Sequence, residues 1–183
     1  WDGVARAGYA LLRRTLDRPD ALLIPDFMTV AADGTPGPLP PWMDLSQDFS
    51  FDAMRIFWRV ALDCQLHGGE FACSDPLEVG ATARALLVSG DIVTAYAVDG
   101  TPLAAGESQS FYGSLLPGFG IHAPELADWV LEEKLDGWFL AHLLEQEDRY
   151  WDRNWVWFGL AAEAGIIRRE TPAPGDLQVP GGP

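Results

Sequence analysis

The sequence predicts a predominantly α-helical protein with one small β-hairpin, and three observations carry that prediction. Long stretches place apolar side chains at helical spacing. Gly- and Pro-rich segments separate them. One stretch alternates in the manner of paired strands around Asp99-Gly100. Consecutive helices joined in this way run antiparallel to their neighbours.

The first helix covers Asp2 to Leu16, with Val4, Ala7, Tyr9, Leu11, Leu12 and Leu16 on one broad apolar arc. Arg13 and Arg14 suit the negative end of its dipole, and Arg18-Pro19 stops it. Residues 20–49 form a long connection: LLIPDF, a Gly/Pro-rich turn region from Ala32 to Pro41, then WMDLSQDFS. Connections of that length inside a domain tend to be functional. A second helix begins with the stretch Ser50 to Cys64 and ends at His67-Gly68-Gly69. Ser74-Asp75-Pro76 opens a third that runs to about Ser89. IVTAYAV and TPLAAG flank Asp-Gly, a strong hairpin signal. A short helix follows from Ser108 to Leu116. A long one runs from Pro124 to Glu147, with Leu126, Trp129, Val130, Leu135, Trp138, Phe139 and Leu143 at helical spacing. The last spans Asp152 to Ala164, with Gly165 after its end. The expected division is one domain over 1–170 and a loose Pro/Gly-rich tail over 171–183.

Composition narrows the function classes. A chain of 183 residues with 48% apolar and 21% charged residues is long enough for one sizeable core. Its net charge of −15 opposes binding to nucleic acid or to anionic membranes. No apolar run is long enough to span a membrane, and WDGVARAG lacks the basic and apolar regions of a signal peptide. Cys64 and Cys73 are too few for a disulfide scaffold or a Cys-rich zinc site. A local bridge between them is compatible with their spacing but not fixed by it. His67, His122 and His142 show no metal-ligand spacing, and no nucleotide-binding, P-loop, CxxC or G-x-S-x-G motif occurs. Neither a metal nor a cofactor is expected. Eight tryptophans are many for this length; most belong in a core, and a minority suit flat platforms for sugar rings.

The segment that carries chemistry is SFDAMRIFWRVALDC, Ser50 to Cys64. Wound as a helix, its apolar residues cover roughly 240° of the circumference, while Asp52, Arg55, Arg59 and Asp63 share one stripe of about 80°. Two readings stand side by side. Asp52 is a cap at a helix N-terminus and the rest are ordinary i, i+4 surface pairs. Alternatively, the stripe faces a partly buried groove, where charges must be paired or used.

These residues resemble a segment of glycoside hydrolase family 8, Tyr-Asp-Ala-x-Arg-x-Pro-Trp-Arg-x-x-x-Asp, with Asp52, Ala53, Arg55, Trp58, Arg59 and Asp63 in register. Three further segments resemble the family's in the same order: LIPDF at Leu23–Phe27, VDGTPL at Val98–Leu103, and RYWDRNWVWFGLA at Arg149–Ala161. The resemblance implies part of an (α/α)6 barrel that hydrolyses β-1,4-linked polysaccharide with inversion, cellulose or a related β-glucan first, xylan second and chitosan lower. It makes Asp52 the general base and puts Arg55, Phe51, Trp42 and Tyr150 at the substrate. Asp26 is expected as a structural cap or loop hydrogen-bonder. Phe51 stands where the family has Tyr, and Phe57 where it has Pro. The match covers only the C-terminal half of the family's domain. The general-acid Glu and a supporting Asp have no counterpart here. The expected partners are therefore a polysaccharide and either the N-terminal half of the same domain or a second copy of the chain, in an extracellular or periplasmic location. The alternatives are a non-catalytic carbohydrate-binding or structural helical module, a xylanase of the same family, and another (α/α) barrel family.

Overall fold

The computed structural model describes residues 2–74, 90–146 and 149–168, so the predicted third helix and the predicted tail lie outside it apart from Ser74. The described elements are α1 (Asp2–Leu16), β1 (Thr29–Val30), β2 (Pro36–Gly37), α2 (Arg55–His67), α3 (Glu70–Cys73), α4 (Gln109–His122), α5 (Pro124–Trp129), a π-helical turn (Val130–Lys134), α6 (Gly137–Glu145) and α7 (Tyr150–Glu163). Among the described residues the architecture is a set of packed helices with one two-stranded antiparallel ladder, Thr29 opposite Gly37 and Val30 opposite Pro36.

The centre of the molecule is α4, which is apolar on all sides and buried from Ser110 to Phe119. It packs most extensively on α7 and next on α2. The helix continues through Pro117, although the sequence led us to end it at Leu116. Proline has no amide to donate to the carbonyl four residues earlier, here that of Gly113. Opposite that carbonyl lies Gly159 of α7. A Cβ at Gly159 would strike the Gly113 carbonyl, and a Cβ at Gly113 would strike the Trp155 carbonyl. Two glycines thus let the backbones approach closely enough for a Cα–H to face the oxygen that Pro117 leaves free.

The predicted single helix from Pro124 to Glu147 is divided into α5, the π-turn and α6. Lys134 shows what holds the break. Its ammonium pairs with Asp91, donates to Glu107 at 3.0 Å, and sits over the rings of Tyr112 and Trp129. Those partners raise its pKa, outweighing burial, which lowers it. π geometry of this kind occurs mostly as single turns inside α-helices.

The Asp-Gly segment does fold back on itself: Ala97 N–H donates to Thr101 O at 2.8 Å and Leu103 N–H to Ala95 O at 2.9 Å. It forms only isolated bridges, one of them Tyr96 opposite Pro102. Pro102 cannot donate, so the ladder does not propagate. The regular ladder instead forms in the Gly/Pro-rich connection, at β1–β2.

Candidate functional site

The four segments singled out in the sequence are tied to one another. Leu22 and Leu23 amides both donate to Val98 O, at 2.7 and 2.9 Å, which joins LIPDF to VDGTPL. Phe49 and Tyr96 exchange backbone hydrogen bonds, and Ser50 Oγ donates to Thr94 O at 3.1 Å. Trp58 of α2 donates its indole N–H to Phe158 O of α7 at 3.1 Å and meets Trp155 edge to face. Phe57, which stands in place of the Pro of the resembled motif, is buried edge to face against Phe49, so its effect is on packing.

Asp52 lies at the meeting point. The helix predicted from Ser50 begins only at Arg55, and Ser50–Met54 forms the turn that leads into it. The reason is non-local: Asp26 Oδ1 accepts the Ser50 amide at 2.9 Å and the Ala53 amide at 2.7 Å, fixing the turn from 24 residues away. Asp26 is thus the loop hydrogen-bonder that its place in LIPDF suggested. Burial raises its carboxyl pKa, and the Ala53 and Ser50 amides and Arg55 oppose that only in part. The Asp52 carboxylate is ion-paired with Arg55, whose Nε also donates to Asp52 O at 3.1 Å, and its side chain remains 41% exposed. A carboxylate that is paired yet open to solvent can hold a water and accept a proton from it.

Beside it stands an aromatic corner. Phe51, 38% exposed, meets buried Phe111 at 5.2 Å and Trp151 at 6.4 Å, both edge to face. Trp151, 41% exposed, leans on Trp155 in turn. Trp151 was not among the expected substrate residues, although it adjoins Tyr150 in the same segment. Tyr150 is 73% exposed and Trp42 79% exposed. Among the described residues, neither has a ring contact that would hold it in a core.

Anchoring this corner is Asp152 on the first turn of α7. It accepts Ser108 Oγ at 2.6 Å, the Ser110 amide at 3.2 Å and Arg149 Nε at 2.9 Å. Burial raises its pKa, but these hydrogen bonds and the Arg149 charge outweigh burial, so the carboxyl sits below its ordinary range.

The charged stripe does not act as one unit. Asp52 is paired with Arg55, whereas Arg59 and Asp63 line a separate groove of about 480 Å³ between α1 and α2, with Ala5, Gly8, Tyr9, Leu12, Ile56 and Val60. There Tyr9 donates its hydroxyl to Asp63 at 2.5 Å; burial first, then that bond, raises the Tyr9 pKa. Cys64 and Cys73 are bridged, their Cα atoms 4.9 Å apart, which fastens α3 to the end of α2. Among the described residues there is no cluster of His, Cys, Asp and Glu suited to a metal, and no helix is long and apolar enough to cross a membrane.

No family model and no curated protein matches this chain. A solved structure does. The fold is similar to that of a GH8 xylobiose complex from Teredinibacter turnerae, with a TM-score of 0.57 and 17% identity over 88% of this chain. The matched region is 38% of that protein, so this chain spans well under half of its length. The chain therefore has the fold of part of a GH8 helical barrel.

Proposed function

We propose that this chain carries the base of an inverting glycoside hydrolase acting on β-1,4-linked polysaccharide, either a β-glucan such as cellulose or xylan. The observation that supports this most is Asp52 itself: an accessible carboxylate, paired with Arg55, on a turn where four separate segments converge and beside exposed aromatic rings. In this reading Asp52 takes a proton from the water that attacks the anomeric carbon. Arg55 holds and orients the carboxylate. Phe51 and Trp151, with Tyr150 and Trp42, offer apolar faces to the pyranose C–H surfaces. The general acid, which must stand about 6.5–9.5 Å from the base, comes from the N-terminal half of the domain or from a partner chain. The xylobiose in the similar structure favours xylan over the cellulose that the motif resemblance ranks first. The Cys64–Cys73 bridge suits an extracellular or periplasmic location, where disulfides persist.

The test is release of reducing sugar from xylan and carboxymethylcellulose by the complete catalytic domain, with and without Asp52→Asn. The variant is expected to lose about 10²–10⁴-fold in kcat with KM nearly unchanged. Full activity in the variant removes Asp52 from the chemistry. Retardation in a polysaccharide gel without any sugar release points instead to a non-catalytic binding module.

A further inference from the structure

We propose that Asp26 is the positioning residue for Asp52, an inference that rests on reading Asp52 as the base. Asp52 stands on a turn with no side-chain cap of its own at the start of α2. What fixes that turn is a carboxylate from a distant loop: the single Oδ1 of Asp26 takes the amide of Ser50 on one side of Asp52 and of Ala53 on the other. Charge-assisted bonds of this kind are stronger and more directional than neutral ones. Asp26 is itself held, its amide donating to Asp48 O at 2.7 Å. Its loop is anchored further by Leu22 and Leu23 on Val98. The positive charge that bears on Asp26 is Arg55, which also pairs with Asp52, and the negative one is Asp48. One guanidinium thus acts on both carboxylates, paired with Asp52 and exerting its charge on Asp26: Asp26 sets where the turn lies, and Arg55 sets how the Asp52 side chain leaves it. For a base that must meet a water within hydrogen-bond reach, a displacement near 1 Å costs on the order of 10²-fold in rate.

Asp26→Asn keeps an acceptor oxygen in place; Asp26→Ala removes it. In the 183-residue chain, hydrogen exchange by NMR is expected to quicken about tenfold in Asp26→Ala at the Ser50 and Ala53 amides. The Arg55 Nε–H, which donates to Asp52 O, should quicken with them, and Asp26→Asn should restore all three. In the complete domain, Asp26→Ala should lower kcat by about 10–10²-fold with KM nearly unchanged, and Asn should recover most of it. If the Arg55 signal is the same in all three chains, Asp26 is only a local cap and the proposal falls. Should Ala fail to fold, an Asn variant whose Ser50 and Ala53 amides lose protection while the Arg55 Nε–H keeps it overturns the proposal equally. If the exchange pattern holds but the parent domain releases no sugar, the positioning stands and the hydrolase reading fails.

Discussion

The two sides of α2 are built differently. On the side of Asp52, backbone and side-chain groups are closely tied: Asp26 to the Ser50–Ala53 turn, Phe49 to Tyr96, Trp58 to α7, and α7 to α4 with glycines at the contact. On the side of α1 the packing is open. Only Thr15 of α1 is buried, and an apolar groove separates it from α2. Its middle is held by Tyr9 on Asp63, by stacking of Tyr9 on Phe71, and by Arg13 over Phe71, all close to the Cys64–Cys73 bridge. The contrast teaches that a helix apolar around most of its circumference can be finished on one face and unfinished on the other. Phe57 and Ala61 are buried in α2, while Ile56 and Val60 are only partly covered and line the groove. An apolar groove of this kind suits the expected partner, the rest of the domain or a second copy.

The largest effect should fall on the tight side. Gly113→Ala drives a methyl into the Trp155 carbonyl and is expected to cost about 3 kcal/mol or more, read as a lower midpoint in urea unfolding. A loss within 0.5 kcal/mol would mean that the α4–α7 contact is looser than described. Next comes the open side. Reducing the disulfide frees a loop closed over nine residues of separation and should cost about 2–3 kcal/mol. Hydrogen exchange should then rise in α1 before it rises in α4 or α7. A uniform rise would erase the difference between the two regions. Light scattering after size-exclusion chromatography should show association of this chain through the open face, and Val60→Glu should weaken it.

The smallest effect concerns pH. Glu163 has its pKa raised by burial and then by Asp128, so its ionised form is disfavoured in the fold, and stability is regained as pH falls through its folded value. Glu163→Gln should therefore stabilise at neutral pH, by only a few tenths of a kcal/mol after solvent screening. Asp152 has the opposite sign. Its depressed pKa stabilises above the ordinary carboxylate range, and that contribution is lost as pH falls below it. In Asp152→Asn the acid limb of the stability curve should flatten, and an unchanged limb would show that Ser108, Ser110 and Arg149 do not matter there.

Much of this was legible in the chain, unevenly so. α1 runs from Asp2 to Leu16 as its apolar arc predicted, with the basic Arg13 and Arg14 in its last turn as the sequence led one to expect. The other boundaries moved wherever a remote partner acted. Asp26 takes over the turn at Ser50–Ala53 and delays α2, and the long helix is divided where Lys134 reaches Asp91 and Glu107. α4 passes Pro117 because Gly159 approaches the carbonyl left free. At the site, helical spacing placed Asp52 and Arg55 on one stripe and the structure pairs them, whereas Trp151 was missed. Its approach to Phe51 spans 100 residues and leaves no periodic trace.

The meeting of Pro117, Gly113 and Gly159 has an evolutionary consequence. An amide restored at position 117 would compete for the very oxygen that the opposing helix approaches, and a methyl at 113 or 159 would be blocked whether or not proline is kept. Changes at these three sites should thus be strongly non-additive, each one altering what the other two tolerate. In any lineage that carries this crossing, the triplet should be inherited as a block, while the open groove behind α2 is free to drift with whatever covers it.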